Sequence, residues 1–341
     1  MNDIPSQHRQ SYAYCAYCPK ACRFACPTAD ATKNEAQSTW GMMTEAHLVT
    51  TGAREIDEAG AKAMFSCTGC MRCRTSCSHE NEVGFALFSA RGEALDKNLA
   101  PKGVQTTVET FITWGNPFGK ELTEYVTRYP SEGPARYALF PGCSSLVKRP
   151  DLVEDAVEVG RALGAPFSVC KQGAKCCGYP LYAAGANEAF EAHAHKFAAS
   201  LAAYPEVVIL DPGCAYTLKV VYPRFGVNPT SRILTVYEVL AQRLEHAPEL
   251  PRLEESVAYQ DACHLGRGLG QYDPPRALLH AAATGFKEAN ETKAHAGCSG
   301  GGGLLPRTSL ETTVEVSRRQ AERVAPGGET IVTACPTSRR M

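Results

Sequence analysis

No run of about 18 apolar residues occurs anywhere in the chain, which excludes a helix that crosses a membrane. Neither sign of charge dominates, since 36 acidic residues stand against 35 basic ones. A balance that close excludes nucleic acid or an anionic membrane surface as a bulk electrostatic partner. Residues 1–10 lack the apolar segment of a secretory leader. No Gly-x-Gly-x-x-Gly loop follows a strand pattern. Gly266-x-Gly268-x-Gly270 has a different spacing and runs into Asp273-Pro274-Pro275, so nucleotide binding is not expected there. No flavin-binding signature is visible.

Cysteine, by contrast, is abundant: 16 in 341 residues. So many cysteines mean either an oxidised secreted scaffold or a reduced compartment where thiolates hold metal. The missing leader and a chain long enough to need no disulfide staples favour the second. The expected location is cytoplasmic, or peripheral at the inner face of a membrane through a partner.

Eight cysteines cluster in the first 80 residues. Cys67-x2-Cys70-x2-Cys73-x3-Cys77 has the spacing of bacterial ferredoxins. Cys15-x2-Cys18-x3-Cys22-x3-Cys26 has one extra residue in its middle gap and closes with Pro27. Three thiolates on a tight loop hold one cube, and the fourth cysteine of such a run ligates the other cube. By that crossed rule Cys15, Cys18, Cys22 and Cys77 hold one 4Fe–4S cluster, and Cys67, Cys70, Cys73 and Cys26 hold a second. The bland alternative is zinc, but structural zinc takes four ligands, usually as two separated pairs, and these runs pack four cysteines into about a dozen residues each. A radical-generating site needs a Cys-x3-Cys-x2-Cys order that the chain lacks.

The chain falls into four stretches. Residues 1–100 form a helical, ferredoxin-like domain, with helical stretches over 38–62 and 83–99. Residues 101–135, dense in Gly and Pro, read as a surface linker with one short helical stretch. From residue 136 strands alternate with helices, which predicts parallel α/β sheets in two parts, 136–250 and 251–341. The expected strands are 137–140, 167–169, 207–210, 257–259 and 331–333. The helix candidates are 151–163, 187–203, 235–244, 275–283 and 309–324. Cys143 and Cys263, Cys176 and Cys298, and Cys214 and Ser338 lie 120, 122 and 124 residues apart. A nearly constant offset predicts two pseudo-symmetric halves. The fold class expected is therefore α+β: a helical domain followed by two parallel-sheet halves. Their cysteines follow strands, where ligand sites of open parallel sheets form.

Cys176-Cys177-Gly178, Asp211-Pro212-Gly213-Cys214, Ala262-Cys263-His264-Leu265-Gly266-Arg267, Cys298 with the glycines 300–303, and Ala334-Cys335-Pro336-Thr337-Ser338 resemble the cysteine-rich CCG domain pair. That family includes the catalytic subunit of heterodisulfide reductase and the iron–sulfur subunits of glycolate oxidase and of anaerobic glycerol phosphate dehydrogenase. The resemblance covers roughly residues 14–341, the Gly115–Gly119 turn included. In the family pattern each half offers a lone cysteine, then Cys-Cys-Gly, then Cys-x-x-Cys. Here Asp211, Ser299 and Ser338 stand where that pattern has cysteine. The resemblance implies a third centre on Cys143, Cys176, Cys177 and Cys214. It also implies a thiolate-poor centre on Cys263, Cys298 and Cys335, with Ser299, Ser338 or His264 beside it. One or two iron–sulfur centres beyond the first two are thus expected, and Cys263, His264, Cys298 and Cys335 are the candidate catalytic residues.

Cys170 reads as a small buried hydrophobe, His193 and His195 as surface residues, and the glycines 300–303 as backbone approaching a cluster. The preferred function is an electron-transfer subunit of an oxidoreductase, with a flavoprotein dehydrogenase as donor. The acceptor is a quinone, a membrane cytochrome or a thiol/disulfide couple. The alternatives are a self-contained catalytic subunit of heterodisulfide reductase type and a redox-sensing iron–sulfur module.

Overall fold

The computed structural model describes residues 6–129, 136–171, 174–247 and 251–341. The N-terminal region is helical, with its longer helices at Ser6–Ala16, Thr39–Thr50 and Val83–Asp96. They close over a core of Tyr12, Met42, Met43, Met64, Phe65 and Leu87, all fully buried. The expected stretch 38–62 is two helices, because the chain turns at Gly52 (φ +74°) and Asp57 starts Glu58–Met64 by accepting from the Gly60 N–H at 2.7 Å.

The Gly/Pro-rich stretch holds more than a short helical piece. Lys102–Trp114 is a helix of 13 residues that buries Val104, Thr107 and Phe111. It ends at Gly115, whose φ of +67° suits a left-handed cap. Gly103 lies so near Arg307 that a Cβ would stand 2.3 Å from its carbonyl oxygen. The helix is therefore wedged between the N-terminal region and the C-terminal half. Residues 130–135 lie outside the described residues.

Two parallel sheets follow. The first has order β2-β1-β3-β4, built from β1 Tyr137–Phe140, β2 Phe167–Val169, β3 Glu206–Ile209 and β4 Arg232–Thr235. The second has order β6-β5-β7, from β5 Leu253–Gln260, β6 Ala283–Glu288 and β7 Thr330–Thr333. In each sheet the first strand is central and the next two flank it on opposite sides. Strand order thus reverses between β1 and β3, and again between β5 and β7, which opens a crevice at their carboxyl ends.

Strands β4 and β6 were not expected. The apolar residues of β4 run straight into a helix, whose start is fixed by a Thr235–Glu238 capping box. Strand β6 is an edge strand, mostly exposed and interrupted by Gly285, where a Cβ would lie 2.7 Å from the Glu255 carbonyl oxygen. Among the described residues no helix is long and apolar enough to cross a membrane.

Candidate redox centres

The first site is built where Ser6–Ala16 ends and the loop after Cys73 returns to it. Cys15, Cys18, Cys22 and Cys77 line one cavity with Tyr14, Lys20, Thr39, Trp40, His79 and Asn81. Asn81 Nδ2 donates to Cys15 Sγ at 3.1 Å and to the Ser11 carbonyl at 2.9 Å. Burial pushes the Cys15 thiol up to about 12, and Cys22, Cys77 and Cys18 push the same way. Thiols so placed give up their protons only to a centre that takes the charge.

The second site lies deeper. Cys26, Cys67, Cys70 and Cys73 feel one another electrostatically, with Cys73 raised first by burial and then by Cys70 and Cys67. Cys26 Sγ lies 3.2 Å from Thr28 Oγ1, and the Gly69 N–H donates to Cys67 Sγ at 3.4 Å. Two buried guanidinium groups frame this site. Arg91 donates to the carbonyls of Cys67 (2.7 Å), Met64 (2.9 Å), Ala183 (2.6 Å) and Gly303 (3.0 Å). Arg267 Nε donates to the Cys70 carbonyl at 2.7 Å, while its Nη2 is buried without a partner. Sequence reasoning passed over both arginines. The available signals were an arginine on the same helix face as Phe88, and the last residue of the Ala262–Arg267 motif.

In the first half the crevice holds Cys143, Cys176, Cys177 and Cys214. Cys143 Sγ lies 3.2 Å from Cys176 Sγ, and Cys177 is in hydrogen-bond contact with Cys176 and Cys214. A Cβ on Gly142 would stand 3.3 Å from Cys214 Sγ, so glycine there admits the sulfur. Tyr222 donates to the Cys177 carbonyl at 2.9 Å. His193 is not a surface residue: its Nε2 lies 2.7 Å from the Cys176 carbonyl and its ring meets Phe111 edge-on. His195 is exposed. Asp211 accepts from the Gly213 N–H at 2.8 Å, and burial raises its carboxyl to about 6. Cys170 is buried at the end of β2.

The second-half cysteines form a chain of neighbours, with Cys298 and Cys335 each within electrostatic reach of Cys263. Cys298 leans across the domain boundary, in hydrogen-bond contact with Cys70 and 3.4 Å from Thr68 Oγ1. Cys263 stands within electrostatic reach of Cys70 and Cys335, and Cys335 within reach of Asp211. Ser299 and Ser338 hydrogen-bond each other at 2.9 Å. His264 stacks on Tyr216 at 4.6 Å and meets Tyr179 edge-on at 5.3 Å. Burial, with Arg267 adding to it, pushes the His264 imidazole down to about 4. His264 Nε2 and the Tyr179 hydroxyl, both without partners, share a cavity with Gly69, Phe85 and Phe88.

The glycine run does approach a cysteine loop, but it is the N-terminal one. Cβ atoms on Gly302 and Gly303 would lie 2.4 Å from the Thr68 carbonyl oxygen and 2.1 Å from that of Cys67. The Gly300 N–H donates to Cys298 Sγ at 3.3 Å. Among the described residues no three His, Cys, Asp or Glu side chains close on the space of a single metal ion.

Residues 11–81 match the 4Fe-4S dicluster domain, and residues 137–219 and 257–339 each match the cysteine-rich domain. The chain is similar to one subunit of the fumarate reductase (CoM/CoB) of Methanothermobacter marburgensis, at 28% identity over 81% of this chain and 56% of that protein. It is similar to one subunit of the dihydromethanophenazine:CoB–CoM heterodisulfide reductase of Methanosarcina mazei, at 26% identity over 80% of this chain and 71% of that one. EtfAB:quinone oxidoreductase of Syntrophomonas wolfei is 26% identical over 82% of this chain and 43% of its own length. The chain spans little more than half the length of the first of these relatives.

Proposed function

We propose a function from one premise: the chain belongs to the iron–sulfur oxidoreductase subunits that join a 4Fe-4S dicluster domain to two cysteine-rich domains. It carries electrons singly, from a flavoprotein dehydrogenase to a quinone, a membrane cytochrome or a thiol/disulfide acceptor. The observation that carries this reading is the unbroken series of thiol sets. Cys15, Cys18, Cys22 and Cys77 stand outermost. Cys26, Cys67, Cys70 and Cys73 come next, and Cys70 touches Cys298, beside Cys263 and Cys335.

The residues present fit iron–sulfur clusters. The outer set offers four thiols around one cavity and the inner set four thiols within electrostatic reach of one another, and the Arg267 Nη2 beside Cys70, unpartnered among the described residues, is what an anionic centre would satisfy. Bound there, the clusters supply one-electron chemistry. The chain orients their ligands, buries Cys26 and Cys70 of the inner set and keeps His264 a neutral imidazole.

The set Cys143, Cys176, Cys177 and Cys214 fits a third centre by the same donor chemistry. The row Cys298–Cys263–Cys335 supplies fewer thiols and is the place for an open iron position.

Anaerobically isolated protein tests the reading through its iron, its acid-labile sulfide and repeated redox cycling. Iron above the roughly eight atoms of two cubes is expected. Iron below that in reconstituted protein, or clusters lost on the first cycle, would refute a carrier role and favour a sensing module.

A further inference from the structure

The two N-terminal thiol sets differ in the charge built around them. At the inner set, Arg91 is fully buried, and among the described residues its guanidinium meets only backbone carbonyls and the rings of Phe65 and Phe88. Arg267 is buried too, and among the described residues it donates only to the carbonyls of Cys70, Ala294 and Ala296. Among the described residues neither arginine makes an ion pair with a carboxylate. Their neighbours do: Arg72 pairs with Glu291 at 2.5 Å, and Arg74 with Glu82 at 3.1 Å. Two whole positive charges are therefore held in the protein interior against Cys67 and Cys70.

Among the described residues that line the outer set, Lys20 is the one lysine or arginine, its ammonium 3.8 Å over Trp40 at a partly exposed position. Solvent and salt screen that charge, whereas buried charges act at a low effective dielectric constant. Burial alone would disfavour adding an electron to the inner set, because it desolvates the reduced form. The two unpaired arginines oppose that cost, and a carbonyl-bound guanidinium cannot shed its charge by deprotonation at neutral pH.

We propose that Arg91 and Arg267 make the inner set, Cys26, Cys67, Cys70 and Cys73, the electron sink of the N-terminal pair. Electrons thus run inward from the outer set toward the Cys70–Cys298 contact. In that step one electron passes, the outer centre is oxidised and the inner reduced, and no bond or proton moves. Arg91 and Arg267 act as positioning residues, through the field they impose on the thiolates. The proposal rests on the two-cluster reading of this domain.

The test is a potentiometric titration, read by electron paramagnetic resonance, of the full chain after anaerobic reconstitution, with dithionite as reductant. The signal missing in C18A marks the outer centre. In the wild type the inner centre should be reduced first. R267Q should shift the electron's equilibrium against the inner centre by about tenfold, a fall of about 59 mV for a one-electron couple. The outer centre should stay where it was, and R267K, which keeps the charge, should restore most of the loss. Outer-first reduction in the wild type would overturn the proposal, as would an unmoved inner centre in R267Q, equal movement of both centres, or no rescue by lysine. A reconstituted chain without two N-terminal clusters would instead overturn the reading beneath it.

Discussion

Asp30 clamps the second half onto the N-terminal domain, and removing its charge should loosen one helix by a calculable amount. Its carboxylate accepts from Lys33 at 2.9 Å, from Arg323 at 2.6 Å and from Arg319 at 3.4 Å, the two arginines coming from Leu310–Val324. Burial alone would raise the carboxyl, but the hydrogen bonds from Lys33 and Arg323 more than offset it and hold the group at about 2 instead of 3.8. That difference corresponds to about 2.5 kcal/mol at neutral pH. About a quarter of the side chain is solvent-exposed, so screening leaves about 1–1.5 kcal/mol. D30N should therefore raise local opening of Leu310–Val324 about five- to twelvefold, read as faster amide hydrogen exchange in that helix. The folded-state pKa lies below the unfolded one. The contribution is thus complete above about pH 4 and lost as pH falls through about 2. The ratio of variant to wild-type opening should stay constant from about pH 8 to 6. Unchanged protection, or a ratio that shrinks across that range, would refute the clamp. So would an R323Q background in which D30N costs as much as before.

Other outcomes follow from the same geometry. C77A should remove about four iron atoms and the outer signal while sparing the inner one, measured by iron assay and spectroscopy. Burial lowers the His193 imidazole, so its contribution to stability is complete above about pH 6.5 and falls away on acidification; H193Q should flatten the decline in thermal stability between about pH 6.5 and 5. If the second half carries the chemistry, C335A should abolish turnover with the natural acceptor while leaving both N-terminal signals intact. S299C/S338C places two thiols where two hydroxyls now bond at 2.9 Å, and should raise the iron content if the second half holds an open-site centre.

The cysteine runs were legible because their information is local: spacing along a loop dictates which sulfurs can share a centre. The pseudo-repeat was legible for a related reason, since a constant offset survives divergence of everything between. Arg91 was not legible. It sits in a helix among Phe85, Leu87, Phe88 and Ala90, and only the tertiary fold brings the Met64, Cys67, Ala183 and Gly303 carbonyls to it. The linker was underestimated because its Pro residues flank the helix Lys102–Trp114, and its one glycine inside, Gly103, sits in the first turn. His193 looked like a surface residue because helix spacing says nothing of Phe111, which arrives from that same helix. The second-half cysteines were expected to converge by analogy with the first half. Cys298 is within electrostatic reach of Cys263 but also touches Cys70, a pairing across 228 positions that no periodicity encodes.

The grip of Arg91 has a consequence for how this protein can vary. All four of its partners are main-chain oxygens, drawn from the N-terminal domain and from both sheet-bearing halves. Main-chain acceptors are present whatever side chain a position carries. Drift at residues 64 or 183 can therefore leave the spacing between the three parts untouched, so long as the arginine stays. Tunnelling rates fall steeply with separation, so a joint made this way lets the surrounding sequence diversify while the conductor keeps its gauge.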